Sequence, residues 1–373
     1  MKIAINTRFL LPGKMEGIGW FTYEVCKRLV QMHPEHEFIF LFDRKYSKEF
    51  VFEKHVRPLS VFPPARHPIL FYWWFEWSLP RIFKKHQPDV FISTDNFASL
   101  AVDVPTLLVI HDVAYKDFPD MVSYSHRKHY EYFMPRYAHR ANRITTVSEF
   151  AKQSIATHLQ VPLDKIDVTY NGCNEAYKPF SEQEKEAVRT QYTGGAPFLL
   201  YSGSIHPRKN LPRMLRAFDL FKRRTNSPLK FALAGRMAWQ TGAVGAALEQ
   251  MEYQEDVLFL GYKGIDELPK ITAAAFAMMY VSLFEGFGLP ILESMQAEVP
   301  VITSNITSMP EVAGGAALLA DPYSPSDISN KIQQLWENEP LRQAYINKGI
   351  QRRQQFSWDT TAKKTWESLE RML

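Results

Sequence analysis

Cysteine is scarce in this chain. Its 373 residues carry two, Cys26 and Cys173, with no Cys-x-x-Cys pair and no cysteine–histidine pairing at metal-ligand spacing. That argues against a disulfide framework and a structural zinc site, and it fits a reducing compartment. An excess of one charge is also missing. Lys plus Arg number 44 against 40 Asp plus Glu, a net +4, too small on its own to argue a nucleic-acid partner. No apolar run approaches the ~18–20 residues of a membrane span. Met1-Lys2-Ile3-Ala4-Ile5-Asn6 leads directly into a strand pattern, so no signal peptide is expected. The dinucleotide fingerprint is incomplete: Gly17 and Gly19 are followed by Thr22, and Asp43 is only a partial match for the acidic ribose partner. A nicotinamide dehydrogenase therefore ranks low. No Asp-x-Asp metal motif stands in a suitable place; Asp266, Asp321 and Asp327 are isolated.

What is present is an ordinary globular composition, 46% hydrophobic and 23% charged, in a chain long enough for two domains. Strand and helix patterns alternate twice. In the first half strands are expected near 2–6, 37–43, 89–93, 106–110, 143–147 and 166–170, and helices near 18–32, 70–86, 124–140 and 149–159. After a charged helix near 182–192, strands are expected near 198–202, 229–234, 256–260, 276–281, 299–303 and 316–319. This is an α/β chain of two Rossmann-like domains facing across a cleft. The boundaries read as 1–172 for the first domain, 173–197 for a linker and 198–357 for the second. Aromatics concentrate at Ile69-Leu70-Phe71-Tyr72-Trp73-Trp74-Phe75-Glu76-Trp77, ahead of Arg81, Lys84 and Lys85. That pattern suits a membrane interface; a helix packed in the first domain, with its basic residues solvated, is the other reading. The two are compatible if one face packs and the other touches lipid.

Two segments carry the chemistry. Phe284-Glu285-Gly286-Phe287-Gly288-Leu289-Pro290-Ile291-Leu292-Glu293 places two carboxylates eight residues apart around a glycine-rich turn that opens a helix. Pro290 falls in the first turn, where its missing N–H costs little, and such a helix start attracts an anion. Glu285 is then set at the reacting end of a ligand, with Glu293 a turn into the helix, placed to accept from sugar hydroxyls. Tyr201-Ser202-Gly203-Ser204-Ile205-His206-Pro207-Arg208-Lys209 ends a strand in a basic pair. Arg supplies a planar fork for phosphate and Lys a point charge. A ligand with phosphate in the middle and hydroxyls at both ends is a nucleotide-sugar.

These segments resemble the retaining enzymes of glycosyltransferase family 4, which have the GT-B fold: the first matches the family's Glu-x7-Glu motif, the second its donor-phosphate motif. The resemblance runs over nearly the whole chain. Gly17-Ile18-Gly19-Trp20-Phe21-Thr22-Tyr23-Glu24 is similar to the family's glycine loop, and Val109-Ile110-His111-Asp112 to its active-site His-Asp. The nearest subgroup is the mannosyltransferase-like enzymes of bacterial O-antigen and capsule synthesis. The resemblance implies transfer of a hexose, mannose favoured, from GDP-mannose or a UDP-sugar to a growing glycan, with a polyprenyl-linked acceptor. A nucleotide-sugar epimerase and a non-catalytic sugar- or membrane-binding paralogue are the alternatives. His111, Glu285, Arg208 and Lys209 are the implied catalytic residues. Gly17, Gly19, Asp112, Gly203, Gly261, Tyr262, Gly286, Phe287, Gly288, Leu289 and Glu293 are the implied donor-binding set. Asp112 either orients His111 or bonds to the following loop. No cofactor and no essential metal are expected, since basic residues and helix dipoles replace the cation in this fold. The helix 358–373 is expected to pack back on the first domain. The expected location is cytoplasmic, peripheral on the inner face of the membrane.

Overall fold

Ile3, Ala4 and Ile5 form a strand because they sit in mid-sheet, opposite Phe38, Ile39 and Phe40 on one side and Val90, Phe91 and Ile92 on the other. A strand covered on both faces reads as a continuous apolar run rather than an alternating one. The computed structural model describes residues 1–13, 15–236 and 242–373. It divides into two units, Met1–Gly172 with Ser357–Leu373, and Cys173–Phe356.

The first unit holds β1 (Lys2–Asn6), β2 (Glu37–Phe42), β3 (Val56–Ser60), β4 (Val90–Ser93), β5 (Thr106–Val109), β6 (Arg143–Thr146) and β7 (Ile166–Val168). They form one parallel sheet in the order β3-β2-β1-β4-β5-β6-β7. β3 was not anticipated. Its sequence, Val-Arg-Pro-Leu-Ser, carries Pro58, which cannot donate to a ladder and is tolerated at an edge; β3 pairs with β2 alone.

The aromatic helix expected over 70–86 is three segments: Pro68–Trp73, a π-helical turn Trp74–Ser78, and Leu79–His86. Pro80 explains the wide turn. It lacks an N–H and its ring collides with a carbonyl four residues back, so the ladder opens ahead of it. Phe71, Trp74 and Phe75 are buried in the core, whereas Ile69, Tyr72, Trp73 and Trp77 are exposed. Arg81, Lys84 and Lys85 are exposed as well. Half of the aromatic cluster is therefore core packing and half is surface. Among the described residues no helix is long and apolar enough to cross a membrane.

The last helix, Trp358–Glu370, packs on helix Gly17–Met32 within the first unit. Arg28 Nε donates to Asp359 at 2.5 Å, and Trp366 stacks on His33 with ring centroids 3.5 Å apart.

The second unit holds β8 (Phe198–Ser202), β9 (Lys230–Ala234), β10 (Val257–Gly261), β11 (Ala277–Tyr280), β12 (Val301–Ser304) and β13 (Leu318–Ala320). Their order is β10-β9-β8-β11-β12-β13, again all parallel. The order reverses between β8 and β11, and the loops leaving those two strands are where an open α/β sheet binds its ligand. Residues 173–197, expected as a linker, fold within this unit. Their helix, Glu182–Thr193, starts with a capping box of Ser181 and Glu184 and packs on helix Leu268–Ala274. Two Rossmann-like parallel sheets, of seven and six strands, make the α/β class predicted from the alternation.

Candidate active site

The turn after β8 and the turn after β11 are stitched together by backbone and amide bonds. The Leu283 N–H donates to the Arg208 carbonyl at 2.7 Å. Asn210, in a left-handed conformation at φ 63°, donates from Nδ2 to the carbonyls of Val281 at 3.0 Å and Pro322 at 2.7 Å. These bonds bring the basic pair and the first carboxylate into one cluster. Arg208 Nη1 donates to Glu285 Oε2 at 2.8 Å and to the Phe284 carbonyl at 2.9 Å. Lys209 Nζ donates to Glu285 Oε1 at 2.6 Å and to the Tyr280 hydroxyl at 2.6 Å.

Glu285 is 6% exposed. Burial alone raises a carboxyl pKa, but Arg208 and Lys209 hold this one down at about 2. Both of its oxygens are committed to cations. Two cations thus face one carboxylate at the switch point of the sheet. Tyr280 ends β11 and is wholly buried; burial pushes its hydroxyl well above the ordinary range, so it stays neutral under Lys209.

The rest of the turn is held from outside. Ser308 Oγ lies 2.8 Å from the Glu285 carbonyl and 2.9 Å from that of Phe287. Gly286 and Phe287 complete the turn, and Gly288 caps helix Leu289–Gln296 at φ +104°, a conformation that a side chain there would strain. Leu289 and Pro290 form its first turn, with the positive end of the helix dipole directed at the Glu285 turn. Glu293 lies one turn on. Burial raises its carboxyl to about 7, against a hydrogen bond from Tyr177 that lowers it. Tyr177 is 3% exposed and comes from the segment expected as linker.

Gly203 follows β8 and its N–H donates to the Ala234 carbonyl at 2.9 Å. Gly261 ends β10, and its carbonyl accepts from the Gly235 N–H at 2.8 Å. Tyr262 follows, 58% exposed. The second-unit residues singled out from the sequence thus all stand at carboxyl ends of β8, β10 and β11 or on the helix that follows β11.

In the first unit His111 follows β5 and Ile110. Its Nε2 lies 2.8 Å from the Thr94 carbonyl. A carbonyl only accepts, so Nε2 carries the proton and Nδ1 is the acceptor of a neutral ring. Burial lowers the imidazole pKa and keeps it neutral. Phe21 packs edge-on against the ring at 4.8 Å. Asp112 bonds to the following turn: its Oδ1 accepts from the Ala114 N–H at 3.0 Å. The expected glycine loop is a correction. Gly17 and Gly19 lie in the first turn of helix Gly17–Met32, not in a loop. Gly19 is where the chain approaches closely, since a Cβ there would meet the Phe9 carbonyl at 2.8 Å.

Sequence reading missed Tyr280, Tyr177 and Ser308. Each is distant in the chain from the group it holds and belongs to no local pattern. Asn210 closes the donor-phosphate motif after the basic pair, but its role in tying the two turns together was not legible.

The comparisons agree with this geometry. A family model described as Glycosyltransferase Family 4 matches residues 15–177, and one described as Glycosyl transferases group 1 matches residues 182–352. Over 256 residues the chain is 33% identical to the O-antigen chain mannosyltransferase B of Escherichia coli, covering 68% of this chain and 67% of that protein. A match of 25% identity to the serotype-specific mannosyltransferase WbdA of Escherichia coli covers 65% of this chain and 31% of that protein, so the chain spans about a third of it. Among solved structures, Anabaena HepE in complex with UDP-glucose aligns with a TM-score of 0.76 at 16% identity, over 100% of both chains, a likeness of fold. With both halves matched in order and an O-antigen mannosyltransferase as a relative, this chain belongs to the family 4 glycosyltransferases and is a glycosyltransferase of the GT-B fold.

Proposed function

We propose that the enzyme retains anomeric configuration while moving a hexose, mannose favoured, from a nucleotide-sugar to a growing lipid-linked glycan. The observation that carries this reading is the clamp of Glu285 between Arg208 and Lys209 at the switch point of the second sheet. When the anomeric C–O bond breaks, negative charge grows on the leaving diphosphate. Preorganised cations are the main lever for stabilising it, and the convergence of two cations at the switch point supports that role for Arg208 and Lys209. Glu285, ionised and bonded through both oxygens, is suited to holding this charge array and sugar hydroxyls rather than to moving a proton near neutral pH. The departing phosphate then takes the acceptor's proton on the face it leaves. The mannosyltransferase relative supports mannose; the UDP-glucose complex of a structural neighbour supports a UDP-sugar as second choice. In this reading Arg208 and Lys209 take the place of a divalent ion.

The test is transfer from GDP-mannose and from UDP-glucose to a polyprenyl-diphosphate glycan, with the product anomer read by NMR. An α-mannoside formed in EDTA at a rate within a few-fold of the untreated enzyme is expected. An inverted product, or a complete loss in EDTA restored by Mg²⁺, contradicts the mechanism.

Glu293 is assigned to the ribose hydroxyls, which need its carboxylate as acceptor. Its folded pKa of about 7 lies above the ordinary 4.5. Its contribution to stability is thus complete below pH 4.5 and lost as pH rises through 7. Nucleotide binding runs the other way: the ionised fraction climbs about 10-fold from pH 6 to pH 8, and the affinity for GDP is expected to climb with it. Calorimetric titration at the two pH values checks this. A Glu293→Gln variant should lose the pH dependence and bind weakly at both.

The outward face of residues 69–85 is assigned to the bilayer. Trp73 and Trp77 stack on each other at 5.8 Å on the exposed side, where aromatic rings suit the headgroup level, and Arg81, Lys84 and Lys85 continue that surface. Each basic residue adds about 1 kcal/mol near an anionic surface. Replacing all three should therefore lower binding to anionic vesicles roughly 100-fold at low salt, measured by flotation. No binding to either vesicle type would leave the exposed aromatics without a lipid partner, and equal binding to both, or no change in the triple variant, would remove the basic residues from the contact.

A further inference from the structure

His33, Glu35 and His36 lie in the turn between helix Gly17–Met32 and β2, in the first unit. One ligand atom from each lies within 4.8 Å of the other two, the one such group of three among the described residues. Glu35 Oε1 is 3.4 Å from His33 Nδ1 and 3.4 Å from His36 Nε2. That spacing is wide for charge-assisted hydrogen bonds, which close to about 2.7–2.9 Å. Those two spacings match the edge of a tetrahedron of ligands drawn at about 2.0–2.1 Å around a zinc ion, about 3.4 Å; the third, between the two imidazole nitrogens, is within 4.8 Å.

The rings are held in place before any ion arrives. The two imidazoles are parallel within 7°. Trp366, from the helix that returns to this unit, stacks on both, at 3.5 Å from His33 and 5.3 Å from His36. The indole is itself tied by its Nε1–H to Glu370 at 2.8 Å. His36 turns Nε2 to Glu35 and Nδ1 to the Met1 amino nitrogen, 3.3 Å away; ligation through Nε2 requires the ring proton on Nδ1.

We propose that His33, Glu35 and His36 bind a borderline divalent transition ion, Zn²⁺ by preference, with water completing the coordination. Two imidazoles and one carboxylate select such an ion over Mg²⁺ or Ca²⁺, which take oxygen donors. The ion fixes the turn beneath helix Trp358–Glu370 and takes no part in sugar transfer. The site is independent of the donor and linkage assigned above.

The experiment is calorimetric titration of the untagged full chain with Zn²⁺ and with Mg²⁺, alongside Glu35→Gln and His36→Gln. Glu35 is exposed, so its variant keeps the fold, which melting in EDTA verifies. Wild type is expected to bind about one equivalent of Zn²⁺ and no Mg²⁺, and to melt higher with Zn²⁺ present. Each variant should bind at least ~10-fold more weakly, the loss already typical of changes one shell outside a metal, and should lose the melting shift. No Zn²⁺ binding by wild type, or the same isotherm in both variants, overturns the site.

Discussion

Replacing Lys209 by alanine is expected to lower sugar transfer at least ~100-fold, the loss typical of removing one preorganised charge stabiliser. Lys209 Nζ sits 2.6 Å from Glu285 and 2.6 Å from Tyr280. Without it one cation in place of two meets a departing diphosphate beside Glu285. Arg208→Ala has the same arithmetic and the same expected loss. Because the charge is needed most as the bond breaks, kcat should fall more than KM rises. Arg208→Lys restores the charge without the planar fork and should recover only part of the activity. The measurement is steady-state transfer, with melting curves to show that each variant is folded. Near-normal turnover in folded Lys209→Ala would remove the basic pair from the reaction.

Glu285→Gln is expected to abolish transfer and also to destabilise the protein, by roughly 3–5 kcal/mol, the range found when a buried ion pair loses one partner. Lys209 is 7% exposed, so it cannot turn to water for compensation. The pH dependence tests the same group in the unmodified protein. Glu285 has a folded pKa of about 2 against an ordinary 4.5, so its stabilisation is complete above pH 4.5 and fades as pH falls towards 2. At about 1.4 kcal/mol per pH unit the span is worth about 3 kcal/mol. Chemical denaturation from pH 7 down to pH 3 should show wild type losing part of this stability and Glu285→Gln lacking that component. Parallel curves for the two proteins would mean that the clamp contributes little to stability.

Both effects depend on residues whose types were legible in the sequence and whose partnership was not. Glu285 in a glycine-rich turn and Arg208-Lys209 after a strand were readable because each is a local pattern. That Glu285 is held by that very pair, 76 and 77 residues away, follows from the adjacency of β8 and β11, which the alternation of elements does not reveal. Tyr177 and Glu293 are a further case. The carboxylate was readable from its motif, and its hydroxyl partner lay in a stretch without strand or motif. Gly17 and Gly19 show the reverse: their resemblance to a glycine loop overlapped the helix expected near 18–32, and the helix runs through both.

By itself the sequence determined the architecture and the chemical inventory. Buried parallel strands such as Ile144-Thr145-Thr146 are short β-branched runs, and turns such as Gly286-Phe287-Gly288-Leu289-Pro290 carry their conformation in their own residues, so both are local properties. The tertiary structure alone decided which groups share a charge. It decided that Pro58 sits at an edge, that Pro80 opens a π turn, that Trp74 is core while Trp73 is surface, and that Trp366 lies on His33 and His36. The physical reason is that burial and ion pairing depend on neighbours brought together from distant parts of the chain. A pKa of about 2 for Glu285 and about 7 for Glu293 arises from the same residue type eight positions apart, separated only by what the fold places around each.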